Sequence, residues 1–579
     1  MEERAFKLAK AWASDNYIDA SDREIIQKHL EASENNEASK LEILESFYKD
    51  LEFGTGGLRA IIGIGSNRMN KYNVRRATQA LSHWILSENS DSPRACISFD
   101  SRQFSKEFAM EAASVFAANG IKTYIFPELT PTPMLSYAIR HYPADGGIML
   151  TASHNPRQYN GFKAYGSDGA QVTPPHDLKI ISEYNAIESW NQIKTGDFQS
   201  FETKNMIEWI SKECNDSFYT KILENSLNLE SCKENGDKVH FIYTPLHGCG
   251  YPACKIISEK QGFTKFEVVE SQAVPDGNFT TIESTPNPED PVALKLAVAL
   301  MKESNADVAY GTDPDCDRLG VVVNDKGIEK YLNGNQIAIL MLHHILSESK
   351  KLNRLPENPL VIKSIVTSPM QDVLAGAYGA DVLNTLTGFK WMARLWKDLL
   401  DQDTQYNYVF ASEESFGYMP YDFVRDKDAV SSIALMNEIV LKNKLAGKNL
   451  IQALDDIYEE FGYFEESLIA LTFEGIEGSE KIKRIMDYFR ANQRSSIANF
   501  QPIHIEDYTL EHHEFKSNVL SFEFKTGDML FLRPSGTEPK IKFYTMVRAV
   551  EGDLASKKKT ASEKIKDIES FIHSKVAEI

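Results

Sequence analysis

A stretch from Gly146 to Lys163 brings a serine, a histidine and a lysine together directly after a short apolar run. The run reads as a buried strand, and the Asn-Pro and Asn-Gly dipeptides that follow it are turn signals. Ligands of open α/β sheets bind at such strand ends. Ser153, with His154 beside it and Lys163 ten residues on, is therefore either an incidental polar residue of a loop or a nucleophile and phosphate carrier. The residues of this loop alone leave both interpretations open.

Three alternating acids, Asp313, Asp315 and Asp317, lie between two apolar runs, a pattern that predicts strand, loop, strand. In an extended chain, residues two apart point the same way. Each pair of carboxylates about 4 Å apart repels by about 4 kcal/mol at an effective dielectric near 20. A fold that groups them therefore needs a cation, and all-oxygen ligation favours Mg²⁺.

A calcium EF-hand is excluded at this loop. Its sixth position would be Arg318 rather than Gly, and its twelfth would be Asn324 rather than Glu. The remaining alternative is a solvated acidic loop.

Two further polar sets follow predicted strands. Hydroxyls of a sugar need donors and acceptors of the kind that the first set offers: Thr387, Lys390, Glu413 and Ser415. The second set combines a planar cation, two hydroxyls and a glycine that lets backbone N–H groups approach an anion, which favours phosphate binding: Arg533, Ser535, Gly536 and Thr537. Ordinary loop polarity is the alternative for each. A glycine-rich turn before Arg59 is a fifth candidate, with a plain surface arginine as its alternative.

A strand–helix–strand unit recurs three times, over 96–126, 240–269 and 360–386, and Gly120, Gly262 or Gly379 ends each helix. Such units predict right-handed crossovers on mostly parallel sheets. Residues 1–50 predict amphipathic helices, and residues 520–549 with the tail predict strands around a Thr526-Gly527 turn and then a helix.

The chain has 579 residues, more than the roughly 250–300 that one core accommodates. Its net charge is −20, which argues against nucleic-acid or anionic-membrane partners. The six cysteines form no CxxC pair, and no run approaches the length of a membrane span. We expect a cytoplasmic protein.

The motifs FGTGGLR, TASHNP with YNGFK, DPDCDR, TGFK, EES and RPSGTEPK, in this order along the chain, resemble those of the α-D-phosphohexomutase family. TGFK, EES and RPSGTEPK are most similar to its phosphoglucomutase and phosphopentomutase branch. The three strand–helix–strand units predict three related α/β domains with mixed, mostly parallel sheets, and the C-terminal pattern predicts a smaller α+β domain. With the resemblance, we expect these domains to lie around one central cleft. We expect four domains. Residues 1–203 would carry the phosphoserine loop, 204–326 the metal-binding loop, 327–460 the sugar-recognition loop and 461–579 the phosphate-binding loop.

The same resemblance implies residue roles. Ser153 would carry the phosphoryl group, with Arg59, His154 and Lys163 as the other catalytic residues and the base among them left open. The metal would lie on Ser153 and the three aspartates. The sugar would be held by Thr387, Gly388, Lys390, Glu413 and Ser415, and phosphate by Arg318, Arg533, Ser535, Gly536 and Thr537.

The chain departs from the family pattern at two places. Pro314 and Cys316 stand where relatives commonly have glycine, and Gly417 stands where the phosphomannomutase branch has a histidine. A role for a histidine at 417 is therefore not transferred. A hydrolase-type dyad of Ser153 and His154 is not expected either, because neighbours in an extended chain point to opposite sides.

The resemblance implies a mutase that interconverts glucose 1-phosphate and glucose 6-phosphate through a phosphoserine enzyme, with Mg²⁺ and glucose 1,6-bisphosphate as cofactors. A phosphomannomutase or phosphopentomutase is the alternative within the family. A sugar-phosphate phosphatase and a non-catalytic sugar-phosphate sensor are alternatives from other classes. We expect a small-molecule sugar phosphate as partner, and the oligomeric state is left open.

Overall fold

The computed structural model describes residues 1–54, 57–473, 475–510, 516–535 and 540–579. It divides into two compact units, one formed by 1–337 with 388–447 and the other by 338–387 with 448–579. The α-helices are α1 Glu2–Ser14, α2 Ala20–Ala32, α3 Glu37–Phe47, α4 Lys71–Glu88, α5 Ser105–Ala118, α6 Thr132–His141, α7 His176–Ala186, α8 Phe198–Thr203, α9 Lys212–Asn225, α10 Leu229–Asn235, α11 Gly250–Gln261, α12 Glu270–Ala273, α13 Lys295–Glu303, α14 Gly334–Lys351, α15 Met370–Ala377, α16 Phe389–Asp401, α17 Ala429–Leu445, α18 Leu450–Phe461, α19 Gly475–Ala491 and α20 Leu554–Glu578.

The strands are β1 Gly57–Ile61, β2 Arg94–Phe99, β3 Lys122–Ile125, β4 Gly146–Leu150, β5 Tyr159–Gly166, β6 Ile207–Trp209, β7 Phe241–Thr244, β8 Phe266–Val268, β9 Val308–Thr312, β10 Leu319–Asp325, β11 Ile328–Leu332, β12 Pro359–Ser364, β13 Asp381–Thr385, β14 Asn407–Glu413, β15 Gly417–Met419, β16 Tyr463–Thr472, β17 Pro502–Asp507, β18 Leu520–Phe524, β19 Met529–Pro534 and β20 Lys540–Ala549. The first three helices confirm the helical prediction for residues 1–50.

The first sheet of the first unit has the order β1-β5-β4-β2-β3-β6. Strands β4, β2, β3 and β6 run parallel, whereas β5 is antiparallel to both β4 and β1. Every residue of β4 is buried, as expected for a central strand covered on both faces. Because β4 and β5 are adjacent and antiparallel, the loop that connects them lies at the C-terminal end of β4.

A second sheet of the same unit has the order β11-β10-β9-β7-β8. Strand β9 is parallel to β7 and antiparallel to β10. The predicted strand–loop–strand around the three aspartates is thus confirmed, with β9 before the loop and β10 after it. Both strands are buried at the loop, so the acids are held between two fixed ends.

All three predicted strand–helix–strand units are confirmed, each with a parallel strand pair. The parallel pairs β2–β3, β7–β8 and β12–β13 are each joined through one helix, namely α5, α11 and α15. Gly120, Gly262 and Gly379, which follow these helices, have φ of 81°, 103° and 75°. Only glycine adopts this conformation without a steric cost, and so each glycine ends its helix as predicted.

The second unit contains an antiparallel sheet with the order β16-β20-β19-β18-β17. Helices α19 and α20 contribute Ile485, Phe489, Ile568 and Ile572 to the buried cluster on this sheet. The predicted strands, the Thr526-Gly527 turn and the C-terminal helix are confirmed. No helix of the described residues is both long enough and apolar enough to span a bilayer.

Candidate active site

Ser153 lies in residues 151–159, here called the serine loop, which follow β4 and end on Tyr159, the first residue of β5. The residue is 4% exposed and has a φ of 50°. Its Oγ donates a hydrogen bond to Asp313 Oδ2 at 2.7 Å and lies 3.2 Å from His154 Nδ1. The expectation that Ser153 and His154 point apart is wrong, because the backbone at Ser153 is left-handed rather than extended. The structure thus joins the serine loop to the first of the predicted metal ligands.

The three carboxylates Asp313, Asp315 and Asp317, here called the acid cluster, each offer an oxygen within 4.8 Å of the others. The expected extended backbone is wrong: the segment turns, and Cys316 has a φ of 53°. Asp313 Oδ1 accepts from the backbone N–H groups of Asp317 at 3.1 Å and Arg318 at 3.0 Å. A turn closed by its own first carboxylate, and not strand alternation, groups the acids.

Two buried lysines offset the charge of the acid cluster. Lys163 Nζ donates to Asp315 Oδ2 at 2.7 Å and lies 3.4 Å from Asp317 Oδ2, while Lys427 Nζ lies 3.1 Å from the same Asp317 oxygen. Burial alone raises the pKa of Asp317, but Lys427 and Lys163 outweigh this and lower it. Burial and the other two carboxylates raise the pKa of Asp313 well above its usual value. Three carboxyl groups thus face two ammonium groups, and burial and mutual repulsion favour the protonated form of Asp313.

The acid cluster fits a hard divalent cation. Asp315 Oδ1 and Asp317 Oδ1 are buried and have no hydrogen-bond partner among the described residues. Buried polar atoms are normally paired, so these two oxygens need a partner of another kind. Carboxylate oxygens are the ligands that Mg²⁺ takes, and the donor set therefore suits that ion.

Arg59 and His154 flank Ser153. Arg59 is exposed on β1, and its Nη1 donates to Asn155 Oδ1 of the serine loop at 2.9 Å. Burial, together with the positive charges of Arg318 and Arg59, lowers the pKa of His154 well below its usual value. These causes favour the neutral imidazole of His154 over the protonated one.

The residues predicted for sugar binding surround α16 and the β14–β15 turn. The backbone N–H of Gly388 donates to Glu413 Oε1 at 2.7 Å, and Ser415 lies in the turn after β14. Lys390 is in the first turn of α16, and Thr387 directly precedes Gly388. The structure thus brings Gly388 and Glu413 together.

Arg318 joins the acid cluster to this turn. Its backbone forms a bridge with Gly417, and its Nε lies 3.9 Å from Asp317 Oδ1. A Cβ at Gly417 would lie 2.2 Å from Cδ of Lys427. A side chain at 417 would therefore have to displace the stem of Lys427.

The predicted phosphate loop belongs to the second unit and is only partly described. Arg533 is in β19 opposite Lys542 of β20, and the backbone N–H of Ser535 donates to the Lys540 carbonyl at 2.7 Å. Gly536 and Thr537 lie outside the described residues. A hairpin is therefore present at the predicted place.

Sequence reasoning did not single out Lys427 or Arg102. Lys427 lies in a charged run, RDKD, over residues 425–428, and Arg102 follows the buried strand β2 in the sequence DSR. Charged residues directly after a buried strand are a usable signal at Arg102. At Lys427 the signal is weak, because surface loops carry such runs as well.

Comparison with known proteins places this chain in one family. Three models described as phosphoglucomutase/phosphomannomutase alpha/beta/alpha domains I, II and III match residues 50–190, 216–327 and 333–461. Phosphoglucomutase of Staphylococcus aureus is 36% identical over 533 residues, which cover 90% of this chain and 94% of that protein. That of Staphylococcus epidermidis is 34% identical over 556 residues, covering 94% and 98%.

Solved structures show the same fold at lower identity. Parafusin (phosphoglucomutase) of Paramecium superposes with a TM-score of 0.71 at 18% identity, covering 92% of this chain and 96% of that one. A phosphoglucomutase/phosphomannomutase family protein of Burkholderia thailandensis gives a TM-score of 0.64 at 17% identity, covering 90% and 97%. The chain thus has the α/β fold of the phosphosugar mutases. It belongs to the phosphoglucomutase/phosphomannomutase family, with three α/β/α domains and a C-terminal sheet domain, which confirms the predicted family and fold class. The domain boundaries at 203, 326 and 460 stay a prediction.

Proposed function

We propose that this protein interconverts glucose 1-phosphate and glucose 6-phosphate through a phosphoserine at Ser153 and a glucose 1,6-bisphosphate intermediate. The observation that carries the proposal is the 2.7 Å hydrogen bond from Ser153 Oγ to a buried acid cluster with unpartnered oxygens. Relatives 36% identical over 90% of the chain are named phosphoglucomutase, which supports glucose as the sugar.

Mg²⁺ would lie on Asp313, Asp315, Asp317 and an oxygen of the phosphorylated Ser153. When bound, it supplies positive charge against the charge that develops on the transferring phosphoryl group. The chain's own cations act in the same sense. Lys163 contacts two of the acids, and Arg59 reaches the serine loop from β1.

Phosphoryl transfer exchanges one P–O bond for another. The bond from phosphorus to Ser153 Oγ breaks while a bond to the sugar hydroxyl oxygen forms, and the hydroxyl proton must leave. Ser153 Oγ, the leaving oxygen, must gain a proton as its bond to phosphorus breaks, and His154 Nδ1 lies 3.2 Å from it. The attacking hydroxyl lies in line on the far side of phosphorus. Arg59, His154 and Lys163 are the residues proposed for proton handling. The reverse sequence, from the other phosphate of the bisphosphate, regenerates phosphoserine.

Substrate binding is proposed for the remaining predicted residues. Glu413 and Ser415 offer acceptors and donors to adjacent sugar hydroxyls beside Gly388, Lys390 and Thr387. The second unit's hairpin, with Arg533, Ser535, Gly536 and Thr537, is proposed to bind the phosphate that does not react. Arg318 adds a cation near the acids.

A phosphorus NMR time course tests the proposal. The enzyme is incubated with Mg²⁺, trace glucose 1,6-bisphosphate and, in parallel, glucose 1-phosphate, mannose 1-phosphate or ribose 1-phosphate. Conversion of the 1-phosphate signal to that of the terminal phosphomonoester, fastest for glucose and without inorganic phosphate, is the expected result. Fastest conversion of mannose or ribose would replace the sugar, and release of inorganic phosphate would replace the mutase by a phosphatase.

Ser153→Ala provides the matching residue test. Turnover should vanish while the apparent Tm stays near that of the wild type, because a loop hydroxyl contributes little to the core. Ser114→Ala, which removes another nearly buried hydroxyl from α5, is the control and should remain active. Turnover by Ser153→Ala would remove Ser153 from the mechanism.

A further inference from the structure

The guanidinium of Arg102 donates hydrogen bonds to four backbone carbonyl groups of the serine loop. Nη2 of Arg102 donates to the carbonyl of Ser153 at 2.6 Å and to that of Asn155, and Nη1 donates to those of Pro156 at 3.0 Å and Tyr159 at 2.9 Å. Ser153, Asn155 and Pro156 lie outside regular secondary structure, and Tyr159 begins β5, so this one side chain joins the start of the loop to its end. The Pro156 carbonyl also accepts from the Tyr159 N–H at 3.0 Å. A planar fork with several fixed donors is suited to that task, whereas a lysine is not.

The guanidinium also forms an ion pair with Asp100, directly after β2. The side chains of both residues are fully buried, and Arg102 Nε lies 3.5 Å from Asp100 Oδ2. The same carboxylate oxygen accepts from Thr151 Oγ1 at 2.6 Å, and Thr151 Oγ1 in turn accepts from the Ser153 N–H at 2.8 Å. Asp100 is therefore connected to the backbone of Ser153 by two chains of polar contacts, one through Arg102 and one through Thr151.

A segment of the chain far from the loop covers this arrangement. The ring of Phe279 lies 5.1 Å from the guanidinium carbon of Arg102. Gly277 lies so close to residues 101–103 that a Cβ there would be 2.6 Å from the Gln103 nitrogen and 2.9 Å from the Ser101 oxygen. The sequence PDGNF over 275–279 therefore has a structural use, which is to place an aromatic ring over Arg102.

We propose that Arg102 is a positioning residue that fixes the left-handed backbone of Ser153, and that Phe279 shields its guanidinium from water. Hydrogen bonds to four carbonyls are strong only where water does not compete for the donors. Without them, Ser153 would lose the conformation that directs its Oγ at Asp313. Arg102 touches no reacting atom and acts through the loop. For its effect on turnover, the inference rests on the proposed mutase function, whereas its effect on the loop does not.

Arg102→Lys, with Arg68→Lys as control, tests the inference. Arg68 is also buried and in the same unit, but its guanidinium contacts Glu42 and Glu45, away from the serine loop. Arg102→Lys should lower kcat by about 100-fold, the scale of a misplacement near 1 Å, with little change in KM. Hydrogen exchange should speed up in peptides that cover 151–159. Arg68→Lys should change neither, even if it lowers the apparent Tm equally.

Each result decides the inference. Wild-type exchange over 151–159 in folded Arg102→Lys, or an equal loss of kcat in Arg68→Lys, would overturn it. If Arg102→Lys does not fold, Phe279→Leu should give the same two changes in smaller measure, and their absence would overturn the inference. If the wild type lacks mutase activity, the proposed function fails and the exchange measurement still decides the positioning of the loop.

Discussion

Lys427 is a buried cation that the acid cluster needs when no metal is bound. It lies 3.1 Å from Asp317 and is held by Asp426, which also accepts from Tyr165 and Gln171 at 2.8 Å each. Removing one partner of a buried ion pair leaves an uncompensated charge, which costs about 3–5 kcal/mol. The effect of Lys427 should therefore appear in stability as well as in rate.

Lys427→Met should lower the apparent Tm without metal and gain more Tm from Mg²⁺ than the wild type does, because the ion replaces the missing charge. Its kcat should fall by about 100-fold, the usual loss for a group that stabilises developing charge. Thermal scans at several Mg²⁺ concentrations and the mutase assay measure both effects. Lys444→Met, which removes an exposed contact to Asp307, is the control. Equal Mg²⁺ gains in Lys427→Met and wild type would contradict this account.

Single functional residues can be predicted from the sequence where a short motif contains the groups that a reaction needs. Ser153, Lys163 and the three aspartates lie in short motifs, and the structure brings them together. Lys427 is 110 residues from Asp317, so no local spacing signals their contact. The left-handed backbone of Ser153 was not predictable either, because the bonds from Arg102 that hold it come from another strand end.

Strand β5 is the element that carries Lys163 to the acid cluster. It lies between β4 and β1, with Lys163 opposite Met149 on one side and Gly57 on the other. Gly161, two residues earlier, lies close to the backbone on both sides of β5. A Cβ at this position would be 2.5 Å from the carbonyl oxygen of Thr151 and 2.8 Å from that of Leu58. Any side chain there must push β5 away from its neighbours.

Gly161→Ala should therefore lower both the apparent Tm and kcat, by about 1–3 kcal/mol in stability as for other overpacked sites. The matched control is Gly376→Ala in helix α15, where a Cβ meets nothing within 4 Å. That change should be neutral or stabilise by about 0.5–1 kcal/mol, because alanine is the better helix former. Wild-type kcat in Gly161→Ala would show that β5 can shift without moving Lys163.

Strand β16 of the second unit carries a pH-dependent carboxyl. Burial, against a hydrogen bond from Ser368, raises the pKa of Glu466 to about 7. The folded state then holds a proton that the unfolded state loses near pH 4.5, so stability falls as pH rises from about 4.5 to 7. Glu466→Gln should remove that loss: the apparent Tm should rise at pH 8 and change little at pH 4.5. Equal changes at both pH values would contradict the shift.

The elements themselves were predictable because each follows a local pattern. The three crossovers have an apolar strand, a periodic helix and a terminal glycine in sequence order, as at Gly262. The turn of the acid cluster follows no such pattern. The alternating acids from Asp313 to Asp317 predicted an extended strand. The segment turns instead, because its Asp313 carboxylate accepts hydrogen bonds from the N–H groups of two later residues.

The whole molecule consists of two compact units, and the acid cluster belongs to the first of them. An ion that binds only the folded acid cluster stabilises the residues around it by mass action, by about 2.7 kcal/mol at a hundredfold excess over Kd. We therefore expect Mg²⁺ to slow hydrogen exchange in peptides of the first unit, above all in β9, β10 and the serine loop. In peptides of β16 to β20 of the second unit, Mg²⁺ should slow hydrogen exchange less.

Asp315→Asn separates this effect from unspecific ion binding to a chain of net charge −20. It keeps the shape of the side chain and removes one of the two carboxylates that have unpartnered oxygens. The Mg²⁺ dependence of exchange near β9 should then weaken together with the Mg²⁺ dependence of turnover. Asp325→Asn, at the far end of β10, removes the same charge away from the cluster and should leave both unchanged. If Asp315→Asn retained the wild-type response to Mg²⁺, the ion would bind elsewhere, and the grouping of the three acids would need another cation to explain it.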